Sequence, residues 1–389
     1  MVSMVIISPL RSVGLTCIAL VAFQLASAQT LVDKDATMET KALFENLSRI
    51  SKQGFLFGHQ DTDAYGVGWK GDENRSDVKD VTGDFPAVHG WDLGKIGKSE
   101  NIDGVPFEKM LNWIKATYKR GGVNTISAHL DNPLTGESTW SKGEAAKESL
   151  PGGKAHMRYV QDLDHIASFL DRCEIDGKKI PIIFRPLHEH NGNWFWWGKG
   201  NADEQDYIKL WRFTVDYLKN EKKLHHLIYA FSPDRSRLKL KTFSQSYQYA
   251  YPGDDYVDIL GYDNYFDVGS NQNKVSEEKR IADLTFGLKE LTKLAAEKKK
   301  VAALTETGLE GVRDPKWFSK FLLGPYDKDP KIEMAFLLVW RNGNNKHHYA
   351  PHKGHASERD FKEFYSDPRS LFEKDIQNMY SSNAPLLKK

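Results

Sequence analysis

Short apolar runs alternate with amphipathic patterns along most of the chain, and this alternation limits the possible folds more than any other feature. Eight of the runs end in polar or turn residues, which is typical of strands that are buried on both faces. Apolar residues with helical spacing lie between most of them. The predicted strands are residues 54–59, 85–91, 123–129, 180–188, 227–232, 257–262, 301–305 and 334–340, and the predicted helices are residues 41–51, 106–118, 157–171, 203–218, 277–298 and 359–375.

This pattern predicts an α/β fold, a (β/α)8 TIM barrel formed as a single domain. Such barrels commonly fill about 250 residues plus insertions, and the chain has 389 residues, of which 40% are hydrophobic. A doubly wound sheet is the structural alternative, but no glycine-rich phosphate loop of the form GxGxxG or GxxxxGK follows any strand. No internal repeat or linker divides the sequence, so we predict one domain over residues 29–389.

The first 28 residues have the pattern of an export signal. Arg11 precedes an apolar run over residues 13–25, and residues 26–28, Ala-Ser-Ala, form a small-residue cleavage site. No run in the chain approaches the ~20 apolar residues of a membrane-spanning helix. Cys17 suggests a lipid anchor, but Gly14 stands where such signals usually carry Leu. We therefore predict a secreted or periplasmic protein with no integral membrane segment, and lipid anchoring at Cys17 is the alternative.

The net charge, the cysteine count and the tryptophan count limit the partners and cross-links that we expect. The formal net charge is +1, which gives no electrostatic reason to expect a nucleic acid or an anionic membrane as partner. Cys173 would be the only cysteine after cleavage, so no internal disulfide forms and the core must supply the stability. Ten tryptophans, several of them near polar loops, favour a carbohydrate ligand. The oligomeric state stays open.

The most informative stretch is residues 180–198, IPIIFRPLHEHNGNWFWWG. A buried strand ends there in Arg185, His188 and Glu189, and an aromatic loop with Trp194 follows. Indole faces stack on the apolar face of a pyranose while polar groups orient its hydroxyls, and barrel enzymes place their chemistry at the carboxyl ends of the strands. We therefore predict a sugar site at this edge; a core strand followed by an aromatic surface loop is the alternative.

A second carboxylate, Glu306, follows the seventh predicted strand in the segment VAALTETGLEG. Glycoside hydrolysis needs two carboxyl groups across the scissile bond, one protonated and one ionised. Strands four and seven lie on opposite sides of an eight-stranded barrel, so Glu189 and Glu306 can face each other across its mouth. We interpret Glu310, which lies beyond Gly308, as a loop residue and not as a candidate for this role.

The segment FRPLHEHNGNWFWWG, with FGHQ, VDILGYDNY, LTETG and VWRNG, resembles glycoside hydrolase family 26 over essentially the whole mature chain. The resemblance implies a retaining glycosidase that cleaves β-1,4-mannosidic linkages in mannan, galactomannan or glucomannan by double displacement, with no cofactor. It implies Glu189 as acid/base and Glu306 as nucleophile. A β-xylanase or mixed-linkage β-glucanase of the same family, and a non-catalytic polysaccharide-binding barrel, are the alternatives.

The resemblance also implies substrate contacts around the two carboxylates. Tyr265 is expected to touch Glu306, and a hydroxyl donated to a carboxylate stabilises its ionised form, whereas burial beside Trp194 should keep Glu189 protonated. Arg185 is either a structural ion-pair partner or part of the catalytic site. The expected substrate-binding residues are His129, His188, Trp194, Asp263, Tyr265, Trp340 and Arg341; for Asp263 and Arg341 the resemblance implies either a polar support or a substrate contact.

Two further features admit two interpretations each. The histidines of NNKHHYAPHKGH, at positions 347, 348, 352 and 355, suggest a metal site, but no carboxylate or Cys lies at ligand spacing. We interpret this segment as a long loop on the substrate side and predict no metal site. Trp69 is either a distal sugar platform or a residue that packs within its loop.

Overall fold

Eight parallel strands form a closed barrel in the computed structural model, which describes Met1 and residues 31–388. Each strand pairs with the next along the chain, and the eighth pairs with the first. The predicted single-domain (β/α)8 barrel is therefore confirmed, whereas the predicted export signal lies, apart from Met1, outside the described residues. The strands are β1 Phe55–Gln60, β2 Val88–Asp92, β3 Val123–Ser127, β4 Ile182–Arg185, β5 Leu227–Phe231, β6 Ile259–Asn264, β7 Val301–Thr307 and β8 Phe336–Val339.

Helical segments connect the strands and cover the outside of the barrel. The longest helix begins after Ser276, whose side chain accepts a hydrogen bond from the Lys279 amide, and ends at Lys299 in the left-handed conformation. No helix of the described part of the chain is long and apolar enough to cross a membrane. The helices are α1 Met38–Ile50, α2 Asp77–Thr82, α3 Phe107–Arg120, α4 Ala145–Glu148, α5 His156–Asp171, α6 Glu204–Asp216, α7 Phe243–Tyr247, α8 Glu277–Lys298, α9 Gly324–Lys328 and α10 Glu358–Tyr365, with π-helical turns at Tyr217–Glu221 and Phe318–Leu323.

The last helix is shorter than the sequence predicted. We expected residues 359–375 to be helical, but α10 ends at Tyr365. Pro368 disfavours helical backbone at the residue before it, and Ser370–Leu371 then forms a ninth strand, β9, that pairs in parallel with β1. Instead of continuing the helix, the C-terminal segment therefore pairs with Phe55 and Leu56 at the start of β1, whose pairing with β2 begins only at Gly58.

Two apolar layers hold the barrel together. Strand residues such as Leu56, Ile183 and Leu338 fill its interior, and the alternate residues, such as Phe57 and Phe184, pack outwards against the helices. The interior layer continues into α1 and the C-terminal segment at the end of the barrel where the strands begin; the residues that close this end are Leu43, Leu47, Ile50, Ile376, Met379 and Leu386. Polar side chains line the opposite end of the barrel, where the carboxyl ends of the strands lie.

Strand β7 contains one extra residue near that polar end. Between the pairs Gly261↔Ala303 and Asp263↔Glu306, β6 advances two residues while β7 advances three, and the same shift occurs against β8. Such a bulge breaks the strict alternation of side chains. As a result Thr305 and Glu306 both face the barrel interior, where the Thr305 hydroxyl donates to Asp263 Oδ1 at 2.6 Å.

Candidate active site

The two carboxylates predicted from the sequence meet at the barrel mouth. One oxygen of Glu189 and one of Glu306 lie within 4.8 Å of each other and of an oxygen of Asp263. Retaining glycosidases hold their two carboxyl groups ~5–5.5 Å apart, whereas inverting enzymes need ~6.5–9.5 Å to admit a water molecule. The separation here therefore fits direct attack by one carboxylate on a sugar carbon.

The backbone at the end of β4 holds Glu189 in an unusual conformation. Leu187 and Glu189 both have positive φ, at 47° and 53°, a region that costs a non-glycine residue of the order of 1 kcal/mol. Two hydrogen bonds fix this turn: the Glu189 amide donates to the Ser232 carbonyl at 2.8 Å, and its own carbonyl accepts from Gly192 at 2.9 Å. Strained backbone that is held in this way clusters at functional sites.

The surroundings of Glu189 favour its protonated form. Burial raises the pKa of this carboxyl well above its usual value, and the negative charges of Asp234, Asp263 and Glu306 raise it further. The indole of Trp194 opposes them, because its Nε1 donates to Glu189 Oε2 at 2.7 Å and so favours the ionised form. Burial therefore raises the pKa of Glu189, as we expected, whereas the hydrogen bond from Trp194 lowers it. The net result is a carboxyl group that can donate a proton.

Glu306 has hydrogen-bond donors on both oxygens. The Tyr265 hydroxyl donates to Oε2 at 3.0 Å, and the guanidinium of Arg185 donates to Oε1. The same guanidinium donates to Asp263 Oδ2 at 2.8 Å. Arg185 is therefore in direct contact with the candidate nucleophile, and its ion pairs connect β4, β6 and β7. Glu189, Asp263 and Glu306 are close enough to hold a cation, but Arg185 already provides a positive charge to two of them.

Asp263 is enclosed and does not face the cleft. Its side chain is completely buried, and its oxygens contact Arg185, Ser232 and Thr305. Burial raises its pKa, Arg185 opposes this effect and the Glu306 carboxylate adds to it. Of the two roles that we expected for Asp263, polar support or substrate contact, these contacts favour support of Arg185.

Two histidines form one wall of the site. The rings of His129 and His188 meet edge to face, with their centroids 4.6 Å apart, and Phe195 packs against both. Burial opposes protonation of His129, but Asp92, whose Oδ2 lies 2.7 Å from Nδ1, raises the pKa of this imidazole above its usual value. Burial lowers the pKa of His188 well below its usual value, and the charges of Arg185 and His129 lower it further. His188 is therefore neutral, and its neighbour His129 is the more basic of the two imidazoles.

Only part of the aromatic loop reaches the mouth. Trp194 is half-buried beside Glu189, whereas Trp196 and Trp197 are fully buried, and their indoles donate to the carbonyls of Leu130 and His188. The sequence alone could not distinguish the tryptophan at the mouth from the two in the core, because all three belong to the same aromatic segment. Trp140, which we did not single out, is half exposed beside His129, at 6.1 Å between ring centroids.

The segment after β8 contributes two further side chains to the site. Trp340 lies edge to face with His129 at 6.5 Å, and Arg341 forms an ion pair with Asp103 at 2.9 Å. Trp69 is buried and its indole donates to Asp77 at 2.8 Å, so it packs within its loop and is not a sugar platform. Glu310 is exposed on its loop, as predicted, and pairs with His347.

The sequence analysis missed three acidic residues around the site. Asp92 orients His129, Asp103 holds Arg341, and Asp234 raises the pKa of Glu189. Asp92 is the last residue of β2, in the segment HGWD, and Asp234 follows β5 in the segment SPD, so the polar ends of these strands were the available signal. Asp103 lies far from a strand end, and no pattern marks it.

Comparisons with known proteins point to one family. The model of glycosyl hydrolase family 26 matches residues 32–346. A mannan endo-1,4-beta-mannosidase of Bifidobacterium adolescentis is 36% identical over 91% of this chain, which spans 36% of that protein's length. A GH26 beta-mannanase structure from Bacteroides ovatus is 38% identical with a TM-score of 0.82, over 89% of this chain and 98% of that one. A modular endo-beta-1,4-mannanase from Cellulomonas fimi is 35% identical with a TM-score of 0.82, over 91% and 80%.

Proposed function

The chain belongs to glycosyl hydrolase family 26, and from that premise we propose that it is a retaining endo-1,4-β-mannosidase, with Glu189 as acid/base and Glu306 as nucleophile. The observation that carries the proposal is the pair of carboxylates within 4.8 Å of each other in unlike surroundings. One lies in a setting that favours the protonated acid, while the other accepts hydrogen bonds from Tyr265 and Arg185. Pairs of titratable groups whose environments differ in this way identify the acid and the base of a reaction.

In the first step Glu306 attacks the anomeric carbon while Glu189 gives its proton to the leaving glycosidic oxygen. The sugar is then covalently bound to Glu306. Tyr265 holds one oxygen of Glu306 in place while the other forms the bond, so little reorganisation is needed during attack. In the second step Glu189, now ionised, takes a proton from a water molecule whose oxygen attacks the anomeric carbon. The bond between that carbon and Glu306 breaks, so the sugar is released, Glu306 is again a carboxylate and Glu189 is again protonated.

The substrate contacts are proposed on the same basis. Trp194, beside Glu189, and Trp340, beside His129, offer aromatic faces to the sugar rings. His188, which is neutral, and the guanidinium of Arg341 offer polar groups to sugar hydroxyls. His129 is held by Asp92 and completes the wall next to Glu189. The partner that fits this site is a polysaccharide such as mannan, galactomannan or glucomannan.

Stereochemistry tests the assignment of the two roles. Hydrolysis of a mannooligosaccharide, followed by proton NMR from the first minutes, should show the β-anomer before mutarotation mixes the products, because two displacements preserve the configuration. If the α-anomer comes first, the reaction inverts and Glu306 is not a nucleophile.

A substrate panel separates the proposal from its alternatives. Reducing-sugar release from mannan should exceed release from xylan and from mixed-linkage β-glucan, and preference for either of these would favour a xylanase or glucanase. Retained binding to mannan without any release would favour a non-catalytic polysaccharide-binding barrel. Product lengths on galactomannan and defined mannooligosaccharides would then show whether the cleft accepts galactosyl branches and whether cleavage occurs within the chain or at its end.

Export is proposed from the sequence of residues 1–28, with cleavage after Ala28 and one domain over residues 29–389. Mass spectrometry of the N-terminus of the protein recovered from culture medium or periplasm tests this. A new N-terminus at residue 29 supports the proposal, whereas a lipid-modified Cys17 would show a membrane anchor instead.

A further inference from the structure

Three histidines that are separated in sequence meet in the loop after β8. His348, His352 and His355 form a triangle with ring centroids 5.0, 5.3 and 5.6 Å apart. His348 is buried, and the other two are half-buried towards solvent. The fourth histidine of the segment, His347, points away to Glu310. The sequence predicted no metal site here, because no carboxylate or Cys lies at ligand spacing from these histidines.

The separation of two ring nitrogens matches the geometry of a metal centre. His348 Nε2 and His355 Nε2 lie 3.3 Å apart. Two imidazole nitrogens that bind one tetrahedral zinc ion at 2.0–2.1 Å are necessarily about 3.3 Å from each other. This spacing therefore allows the two nitrogens to share one ion in place of the hydrogen bond between them.

The surroundings of His355 fit a metal ligand, and His352 lies close enough to supply another. The Nδ1 atom of His355 lies 2.9 Å from the Ser357 hydroxyl, and a partner on this nitrogen orients an imidazole whose other nitrogen binds metal. The ring of His352 lies edge-on to both others, and its Nδ1 makes only a long contact of 3.2 Å to the Lys353 carbonyl. Rotation of this half-exposed side chain gives a third ligand, and water can complete the tetrahedron.

We propose that His348, His352 and His355 bind one zinc ion, or a divalent transition-metal ion of similar preference for imidazole. The ion would connect the two ends of residues 348–355. Tyr349 at the start of this segment packs edge to face on Tyr265 at 6.0 Å between centroids, and its amide is held by Asn342. The proposed role of the ion is therefore to fix the loop behind the tyrosine that donates to Glu306.

Metal binding by the full chain, purified without a polyhistidine tag and dialysed against chelator, tests the proposal. Calorimetry with zinc chloride should give one equivalent bound, and zinc should raise the Tm. Loss of groups outside the coordination shell already costs about 10- to 100-fold in affinity, so His355→Gln should weaken zinc binding at least about 100-fold. The Gln variant keeps much of the size of His355, which is half-exposed, and should fold.

Two variants serve as matched controls. His347→Gln removes a histidine of the same loop that faces Glu310. His225→Gln removes a ligand of Asp33, Asp35 and His225, the one cluster with a histidine among the described residues whose ligand atoms already lie within 4.8 Å of one another; the three loop histidines need the rotation of His352 to reach such a spacing. Both should bind zinc as the wild type does. The proposal is overturned if the wild type binds no zinc, if His355→Gln binds it equally well, or if His225→Gln abolishes binding.

Cobalt provides a readout that needs no variant. The wild-type protein loaded with Co²⁺ should show the visible absorption bands of tetrahedral cobalt bound by nitrogen, and zinc should displace them. Absence of these bands, or bands of octahedral intensity only, would contradict a three-histidine site. None of these measurements depends on hydrolysis, so their result is independent of the proposed glycosidase activity.

Discussion

Replacing Trp194 with Phe should shift the pH dependence of hydrolysis towards alkaline pH. The substitution keeps an aromatic face at the mouth and removes only the indole N–H that donates to Glu189 Oε2 at 2.7 Å. This bond stabilises the ionised carboxylate more than the neutral acid, so its loss raises the pKa of Glu189. Because Glu189 must be protonated in the first step, the alkaline limb of kcat/KM should move to higher pH.

The size of the shift follows from the energy of the bond. A hydrogen bond to a charged group contributes about 1.5–3 kcal/mol and one to a neutral group about 0.5–1.5 kcal/mol. Their difference of about 1–1.5 kcal/mol corresponds to about one pH unit. Trp194 is only half-buried, and solvent reduces the effect, so we expect a shift of about 0.5 to 1 pH unit.

The assay is kcat/KM on a soluble mannooligosaccharide between acid and alkaline pH, with Trp140→Phe as the matched control. Trp140 lies near the same wall beside His129, and its indole makes no hydrogen bond to a carboxylate in the described structure. Its variant should lose some activity without a shift of the limb. An unmoved limb in Trp194→Phe, a shift to lower pH, or an equal shift in both variants would refute the reasoning.

Three other predictions concern the same site. Glu189→Ala should retain turnover of a substrate with a good aryl leaving group, which needs little protonation, whereas Glu306→Ala should abolish turnover of every substrate; equal and small losses in steady-state kinetics would contradict both roles. Tyr265→Phe should lower kcat by about 10- to 100-fold because a charge-assisted hydrogen bond contributes about 1.5–3 kcal/mol, and an unchanged kcat would show that the bond is not used. Thr305→Val should reduce the free energy of unfolding by about 2–4 kcal/mol, since it leaves the Tyr262 amide and Asp263 Oδ1 buried without this partner; urea denaturation with unchanged stability would rule this out.

The barrel itself could be predicted because local patterns specify it. Buried runs such as residues 227–232 and amphipathic stretches such as residues 277–298 each indicate their own conformation, and the observed elements begin and end within a few residues of them. The predicted helix over residues 359–375 failed where a pairing between distant segments intervened. The strand Ser370–Leu371 forms because β1 offers it an edge, and a single stretch of sequence contains no sign of that partner.

The candidate site was predictable in its residues but not in its connections. Strand ends identified Glu189 and Glu306, yet the bulge in β7 that turns Thr305 and Glu306 to the same side depends on the register with β6 and β8. The donation from Trp194 to Glu189 depends on a turn with two left-handed residues. Such features arise from tertiary geometry, so pattern and spacing do not encode them.

The closure of the barrel by α1 and the C-terminal segment determines the face from which a tether or a fused partner would leave the protein. Asn46 of α1 donates to the carbonyls of Asn378 and Met379, so the first and last parts of the fold meet at the end where the strands begin. The family model ends at residue 346, and a fragment cut there would lack β9 and half of this closure. A partner fused beyond residue 388, or a surface tether placed before residue 31, would emerge from the face opposite the cleft. Immobilised in this way, the protein would present its open mouth to the polysaccharide that we propose as its substrate.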